Sequence, residues 1–271
     1  MNIIEILIPV LIFVALVYLT LEYSLLILPK KGLPVLMYHN ISGRDADGLN
    51  IPAGKLELQF MYLKEKGYRS LSLKQLIALN EEGGALPKKS FVLTFDDAYQ
   101  SVEEKLLPLL ERYDFCAGVF LPVAFAGKSN LWDDGRLQVL SAESLQKISR
   151  STRIEIGLHS FLHKSYNDMN LEDMQEDLRN SRQTLEYYKI PYINVLAYPY
   201  GAYPKKDLKF KQEMFGMFAQ SGLALAFRIG NRINPFPFKA RYEVKRIDMK
   251  GTDSFFIFKT KLKKGRAKIF A

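Results

Sequence analysis

The chain has little of what usually announces disulfide or cofactor chemistry: one cysteine, one tryptophan and three histidines among 271 residues. The single cysteine, Cys116 in the apolar run "FCAGVFL", excludes an intramolecular disulfide and any zinc finger built on paired cysteines. Internal repeats and low-complexity linkers are also missing. The remaining composition, 48% hydrophobic and 25% charged, is that of an ordinary globular chain, long enough for one large domain or two small ones. Aromatic RNA-binding signatures are absent, so no nucleic-acid partner is expected.

One long stretch lacks charge. "ILIPVLIFVALVYLTL", residues 6–21, carries no charged side chain, and apolar character continues past Glu22 to Leu28. A helix of roughly 20 apolar residues crosses the hydrocarbon core of a bilayer. A cleaved signal peptide would show basic residues ahead of a shorter run and a small-residue cleavage pattern. Here only Glu5 precedes the run, and no A-x-A pattern follows it. We therefore expect residues 1–31 to form a retained single-pass anchor, its helix at about 6–28, with the membrane as a partner. The net charge of +9 gathers at the other end: residues 259–271, "KTKLKKGRAKIFA", hold six basic side chains and no acid, leaving +3 for the rest. That pattern reads as a basic tail suited to an anionic surface.

Between these ends, short apolar runs alternate with amphipathic segments. Strands are expected at "PVLMYH" (34–39), "YRSLS", "SFVLTF" (90–95), "CAGVFLP", "RIEIGL", "NVLAYP" and "LALAF". Helices are expected at "KLELQFMYLKEKG", at "SLKQLIALNEEGG" capped by Ser72, over 101–113 with Pro108 bending it, at "SAESLQKISR", after Asn170, and over roughly 204–221 with Pro204 in its first turn. Such β-then-α units imply parallel strands buried under helices, as a barrel or a doubly wound sheet. Either architecture gathers chemistry at the carboxyl ends of its strands.

The candidate residues fall there. "FVLTFDDAY" stops an apolar strand on Asp96 and Asp97, adjacent like charges that raise each other's cost of ionisation unless a cation lies between them. His39 ends "PVLMYH", and "RIEIGLHSFLH" carries His159 and His163 at i, i+4. On a helical turn that spacing brings two imidazoles to one face. One carboxylate with two imidazoles is a common catalytic zinc set that leaves positions open for water and substrate.

Taken together, "TFDD", "HSFLH" and "YPYG" (Tyr198–Gly201) resemble the first three motifs of the polysaccharide deacetylases, the NodB-homology group called carbohydrate esterase family 4. The opening "PVLMYH" is similar to the branch of poly-β-1,6-N-acetylglucosamine deacetylases. The resemblance runs from about Pro34 to Phe258. It implies an α/β fold, a circularly permuted, distorted (β/α) barrel, as a catalytic domain over residues 32–258 between the anchor and the tail at 259–271. The implied activity is metal-dependent hydrolysis of N-acetyl groups from the amino sugars of a polysaccharide or oligosaccharide. Asp97, His159 and His163 become the ligands of a divalent ion, expected to be Zn2+, and Asp96 the general base. No histidine follows His163 to serve as the acid of the usual last motif; in the permuted branch the N-terminal strand brings it, so the resemblance gives the general-acid role to His39. Pro199 and the backbone N–H of Tyr200 would face the developing oxyanion. Trp132 in "NLWDDGR" either stacks on a sugar ring or packs its loop.

Ala197 departs from the pattern, standing where the third motif begins with an arginine that orients the base. It is the main ground for one alternative, a carbohydrate-binding pseudoenzyme; an O-acetyl esterase with the same site is another. Orientation pulls two ways. Lys30 and Lys31 after the span favour a cytoplasmic domain, yet long domains translocate with little regard to local charge. The polymers implied by the resemblance lie outside, so the catalytic domain is expected on the extracytoplasmic side.

Overall fold

The computed structural model describes residues 3–22 and 30–267. It opens with the helix Ile3–Glu22, whose 20 residues form an apolar rod long enough to cross a membrane, with none of its Ile3–Thr20 stretch packed against protein. The expected continuation of this helix to residue 28 lies outside the described residues.

Among the described residues ten strands follow in chain order: β1 (Val35–Tyr38), β2 (Asn40–Ser42), β3 (Asn50–Pro52), β4 (Arg69–Ser70), β5 (Ser90–Phe95), β6 (Ala117–Leu121), β7 (Ile154–Leu158), β8 (Val195–Ala197), β9 (Leu225–Ile229) and β10 (Val244–Asp248). Parallel pairing runs β1-β10-β9-β8-β7-β6-β5, and β1 pairs with β5 to close a seven-stranded ring. β4 adds to β5 outside the ring, while β2 and β3 pair separately. The expected barrel is therefore observed, and the most N-terminal barrel strand closes it between β5 and β10.

Period-2 alternation explains the layers. Val35, Val92, Phe120, Val195, Phe227 and Val244 form an inner cluster, while Leu36, Phe91, Leu93, Phe95, Val119 and Ile247 pack outward under the helices. Continuing the inner parity to the carboxyl ends brings His39, Asp96, Arg246 and Asp248 to the mouth of the barrel. Both faces of each strand are covered, which is why the strands read as continuous apolar runs.

Helices largely start where their caps lie. Ser72 and Gln75 form a capping box on Leu73–Glu81, and Asn170 and Asp173 form one on Leu171–Tyr187. Several elements differ from the sequence reading, among them the short strands β2 and β3, which lie outside every expected strand. The helix expected over 101–113 enters as a π-helical stretch, Val102–Leu106, before becoming α-helical at Leu107–Tyr113. Pro108 has no N–H to donate back into the preceding turn, so the α ladder cannot run unbroken through it. The helix expected from Pro204 starts at Leu208, where Asp207 accepts the Phe210 N–H. β10 itself is not among the expected strands, because Lys245, Arg246 and Asp248 break its apolar signal. Finally, residues 259–264 lie in the helix Phe255–Lys264, with Phe258 and Leu262 buried and Lys261 Nζ donating to the Asp248 carbonyl at 2.7 Å. The lysines flank an apolar stripe there; residues 268–271 lie outside the described part.

Candidate active site

A cavity of about 460 Å³ opens at the carboxyl ends of the barrel strands and contains all three histidines. Strand register sets its first pair. Tyr38 lies opposite Phe95, and the Asp96 N–H donates to the Tyr38 carbonyl at 2.9 Å, so His39 and Asp96 leave neighbouring strands at one level. His39 Nε2 is 3.9 Å from Asp96 Oδ2.

Asp96 follows the inward parity of β5 and meets Arg246 from β10. The two terminal guanidinium nitrogens, Nη1 and Nη2, donate to its carboxylate, at 2.5 and 2.6 Å, and Arg246 is fully buried. Phe120 lies under the guanidinium, 5.5 Å away. Burial alone would raise the Asp96 pKa; the Arg246 charge, aided by His159 and the Arg246 hydrogen bonds, holds it well below the usual carboxylate range instead. Arg246 thus makes the contact that the sequence reading left without an owner at Ala197. A charged residue in an unexpected strand carried no sequence signal of its own.

Asp97 turns away from this pair. Its φ of 71° is left-handed, as is that of Ala98 at 48°, so the chain leaves the strand abruptly. Asp97 Oδ1 then lies 3.2 Å from His163 Nε2 and 3.5 Å from His159 Nε2. The candidate ligand atoms of Asp97, His159 and His163 lie within 4.8 Å of one another, and all three residues are buried. Asp97 Oδ1 accepts no hydrogen bond despite its burial. An orphaned carboxylate oxygen facing two imidazole nitrogens is the donor set of a zinc-like cation. The far nitrogens support the same fit. His159 Nδ1 is 2.8 Å from the Ala197 carbonyl and His163 Nδ1 3.1 Å from Tyr200 Oη; donation there leaves each Nε2 lone pair facing Asp97. Burial lowers the His159 pKa to about 4, against the pull of Asp96, keeping the ring neutral at physiological pH as a ligand must be.

The two candidate ligand histidines do not share a helical turn. After β7 the chain passes through left-handed Ser160 (φ 61°) and His163 (φ 55°), an irregular loop rather than the expected i, i+4 arrangement. Asp177 holds that loop. Its buried carboxylate accepts from Ser160 Oγ at 2.7 Å, the Phe161 N–H at 2.8 Å and Tyr166 Oη at 2.9 Å. Sequence reasoning missed Asp177, although a signal was present: it sits with Met174, Leu178, Ser181 and Leu185 on the buried stripe of its helix. An acid in an apolar stripe calls for a partner.

Trp132 stacks on His163, with centroids 4.6 Å apart, and meets Phe125 edge-on at 4.8 Å. It packs its loop over His163 and at the same time lines the cavity. Pro199 is buried and begins the tight turn after β8, while Tyr200, at φ 58° and ψ 8°, projects an exposed ring over the cavity rim. Gly201 is required there: its φ is 62°, and an added Cβ would sit 2.7 Å from the Ile229 side chain.

Residues 83–214 match the family model of the polysaccharide deacetylases. A poly-beta-1,6-N-acetyl-D-glucosamine N-deacetylase of Escherichia coli K12 is 29% identical over 143 residues, covering 49% of this chain and 21% of that protein. The Staphylococcus epidermidis enzyme of the same name is 26% identical over 194 residues, covering 64% of this chain and 66% of its own length. A Bacillus subtilis protein named as a polysaccharide deacetylase is 26% identical over 67% of this chain and 61% of its own length. The chain thus spans less than two thirds of each of these relatives. Among solved structures, IcaB from Ammonifex degensii superposes with a TM-score of 0.69 at 21% identity, over 82% of this chain and 93% of that one. The Streptococcus pyogenes deacetylase PplD superposes at 0.67 and 18% identity, over 83% and 95%. These superpositions speak for the barrel fold.

Asp177 gives the geometry a direct check. Asp177→Ala should lower zinc affinity by roughly 10–100-fold, the usual effect of removing a group that orients ligands. Competition titration with a chelating dye reads this out; wild-type affinity would show that the loop holds its ligands without Asp177.

Proposed function

We propose that this chain, which carries a polysaccharide deacetylase domain, is a metal-dependent N-deacetylase acting on amino sugars of an extracytoplasmic polysaccharide. One observation carries the reading. Asp97, His159 and His163 converge in a buried, cation-sized triad, while the adjacent Asp96 is held out of it by Arg246.

A divalent cation on the triad, zinc by the chemistry of the donors, would supply Lewis acidity and lower the pKa of water. The remaining work falls to the chain. Asp96, kept ionised by Arg246, accepts a proton from the attacking water. The C–N bond of the acetamide breaks, acetate leaves, and the amine departs with a proton from His39, which stands beside Asp96. Asp248 shares the cavity wall with His39. The left-handed turn at Tyr200 offers its N–H toward the substrate carbonyl. The pseudoenzyme alternative rested on Ala197, and the Arg246–Asp96 pair removes that ground by giving the base its orienting partner. The helix Ile3–Glu22 serves as a retained anchor, with the domain outside the cytoplasm.

Acetate release from N-acetylglucosamine oligomers tests the roles together. His159→Ala or His163→Ala should lose most bound zinc and all activity. Asp96→Asn should keep the metal and lose turnover. His39→Ala should keep the metal and slow amide hydrolysis by roughly 10²–10⁴-fold, with a smaller loss on an activated ester whose leaving group needs no proton. Near wild-type turnover in Asp96→Asn would refute the assignment of base and ligand.

For orientation, protease added to intact spheroplasts should digest the domain from residue 32 onward while a cytoplasmic marker survives. Protection until lysis would place the domain inside and point to a cytoplasmic or lipid-linked amino sugar.

A further inference from the structure

We propose that the end of the barrel opposite the active site is a membrane-facing foot, whose lysine-lined cavity takes anionic phospholipid head groups. This inference rests on the retained-anchor reading above.

The cavity, about 470 Å³, is lined by Lys30, Lys31, Lys88, Lys89 and Lys263, with no acidic side chain in its wall. Among the described residues, the lysine ion pairs involve Lys64, Lys147, Lys211, Lys250 and Lys261, none of which lines this cavity. Lys89 Nζ donates to the Lys66 carbonyl at 2.7 Å, a contact that leaves its charge uncompensated. The fold holds these cations together: the Lys30 N–H donates to the Lys263 carbonyl at 3.1 Å, tying the chain arriving from the anchor to the end of the C-terminal helix. Five like charges around one cavity repel one another, and a polyanionic surface relieves that cost. Tyr68, Leu86, Ile233 and Leu262 give the same wall an apolar floor.

Position identifies the occupant. Gly32 and Pro34 precede β1, and Lys88–Ser90 lead into β5, so the cavity lies at the amino ends of the strands, whereas the active site lies at their carboxyl ends. Lys30 follows Glu22 by eight residues, a link that spans at most about 28 Å when fully extended. A bilayer reached through so short a tether presents its head groups at high effective concentration, an advantage that a free polyanion lacks. Basic side chains are attracted to an anionic leaflet within a Debye length of it. Seated this way, the barrel opens its active site away from the bilayer, toward polymer strands rather than lipid-linked sugars.

The test uses the full chain in nanodiscs of phosphatidylcholine alone or mixed with phosphatidylglycerol. Amide hydrogen exchange in residues 84–91 and 261–266 should slow severalfold only in the mixed discs. A Lys31→Gln/Lys88→Gln/Lys263→Gln variant should lose that difference and keep wild-type turnover on a soluble oligosaccharide. Equal exchange in both discs, or protection that survives in the variant, would overturn the proposal. Inorganic polyphosphate reproducing the protection on phosphatidylcholine discs would also overturn it, in favour of a soluble polyanion. A chain that co-purifies with neither disc would instead sink the anchor reading, and turnover reports on the deacetylase reading separately.

Discussion

In the mouth of the barrel a fully buried guanidinium grips an almost fully buried carboxylate through two short hydrogen bonds. Taking both charges out of water is costly, and their attraction compensates only because the fork of Arg246 matches the two oxygens of Asp96. Removing one partner from such a pair typically costs about 3–5 kcal/mol, so the pair fixes β10 and β5 on either side of β1, where the ring closes. It also divides the labour of adjacent like charges. With Asp96 neutralised by Arg246, Asp97 is free to turn through its left-handed backbone toward two imidazoles.

The surrounding structure serves that division. Parallel register sets His39 beside Asp96, the Ala197 carbonyl and Tyr200 hydroxyl orient the imidazoles, and Asp177 fixes the loop between them. These supports come from strands and helices distant in sequence, which is the usual way a rigid scaffold makes a site from its loops. The opposite end of the barrel carries a different chemistry, with cations gathered where the chain arrives from its apolar helix.

Much of this was legible in the sequence. The alternation of apolar runs and capped helices gives parallel strands buried under helices, a barrel or a doubly wound sheet, and the family resemblance carried by the motifs chooses the barrel. Two carboxylates and three histidines fall at the strand ends that form its mouth. The reading failed where one residue's meaning depends on a distant strand. Arg246 and Asp248 look like surface charges in "VKRIDMK", because inward parity at the polar mouth of a barrel reverses the usual sign of the pattern. The lysine-rich C-terminal helix reads as a tail for the same reason: its buried Phe258 and Leu262 are outnumbered by charges on the solvent side. Asp177 hides in a helix whose other buried positions are ordinary core.

The Arg246–Asp96 contact is open to a conservative substitution. Arg246→Lys keeps the positive charge and gives up the planar fork that holds both carboxylate oxygens. The measurement is turnover on an N-acetylated oligosaccharide, with zinc content and circular dichroism recorded on the same preparation. The account predicts normal zinc content, a folded barrel and turnover lowered by roughly 10–100-fold, the share usually carried by a group that orients a catalytic residue. Wild-type turnover in a folded, zinc-loaded Arg246→Lys enzyme would contradict it.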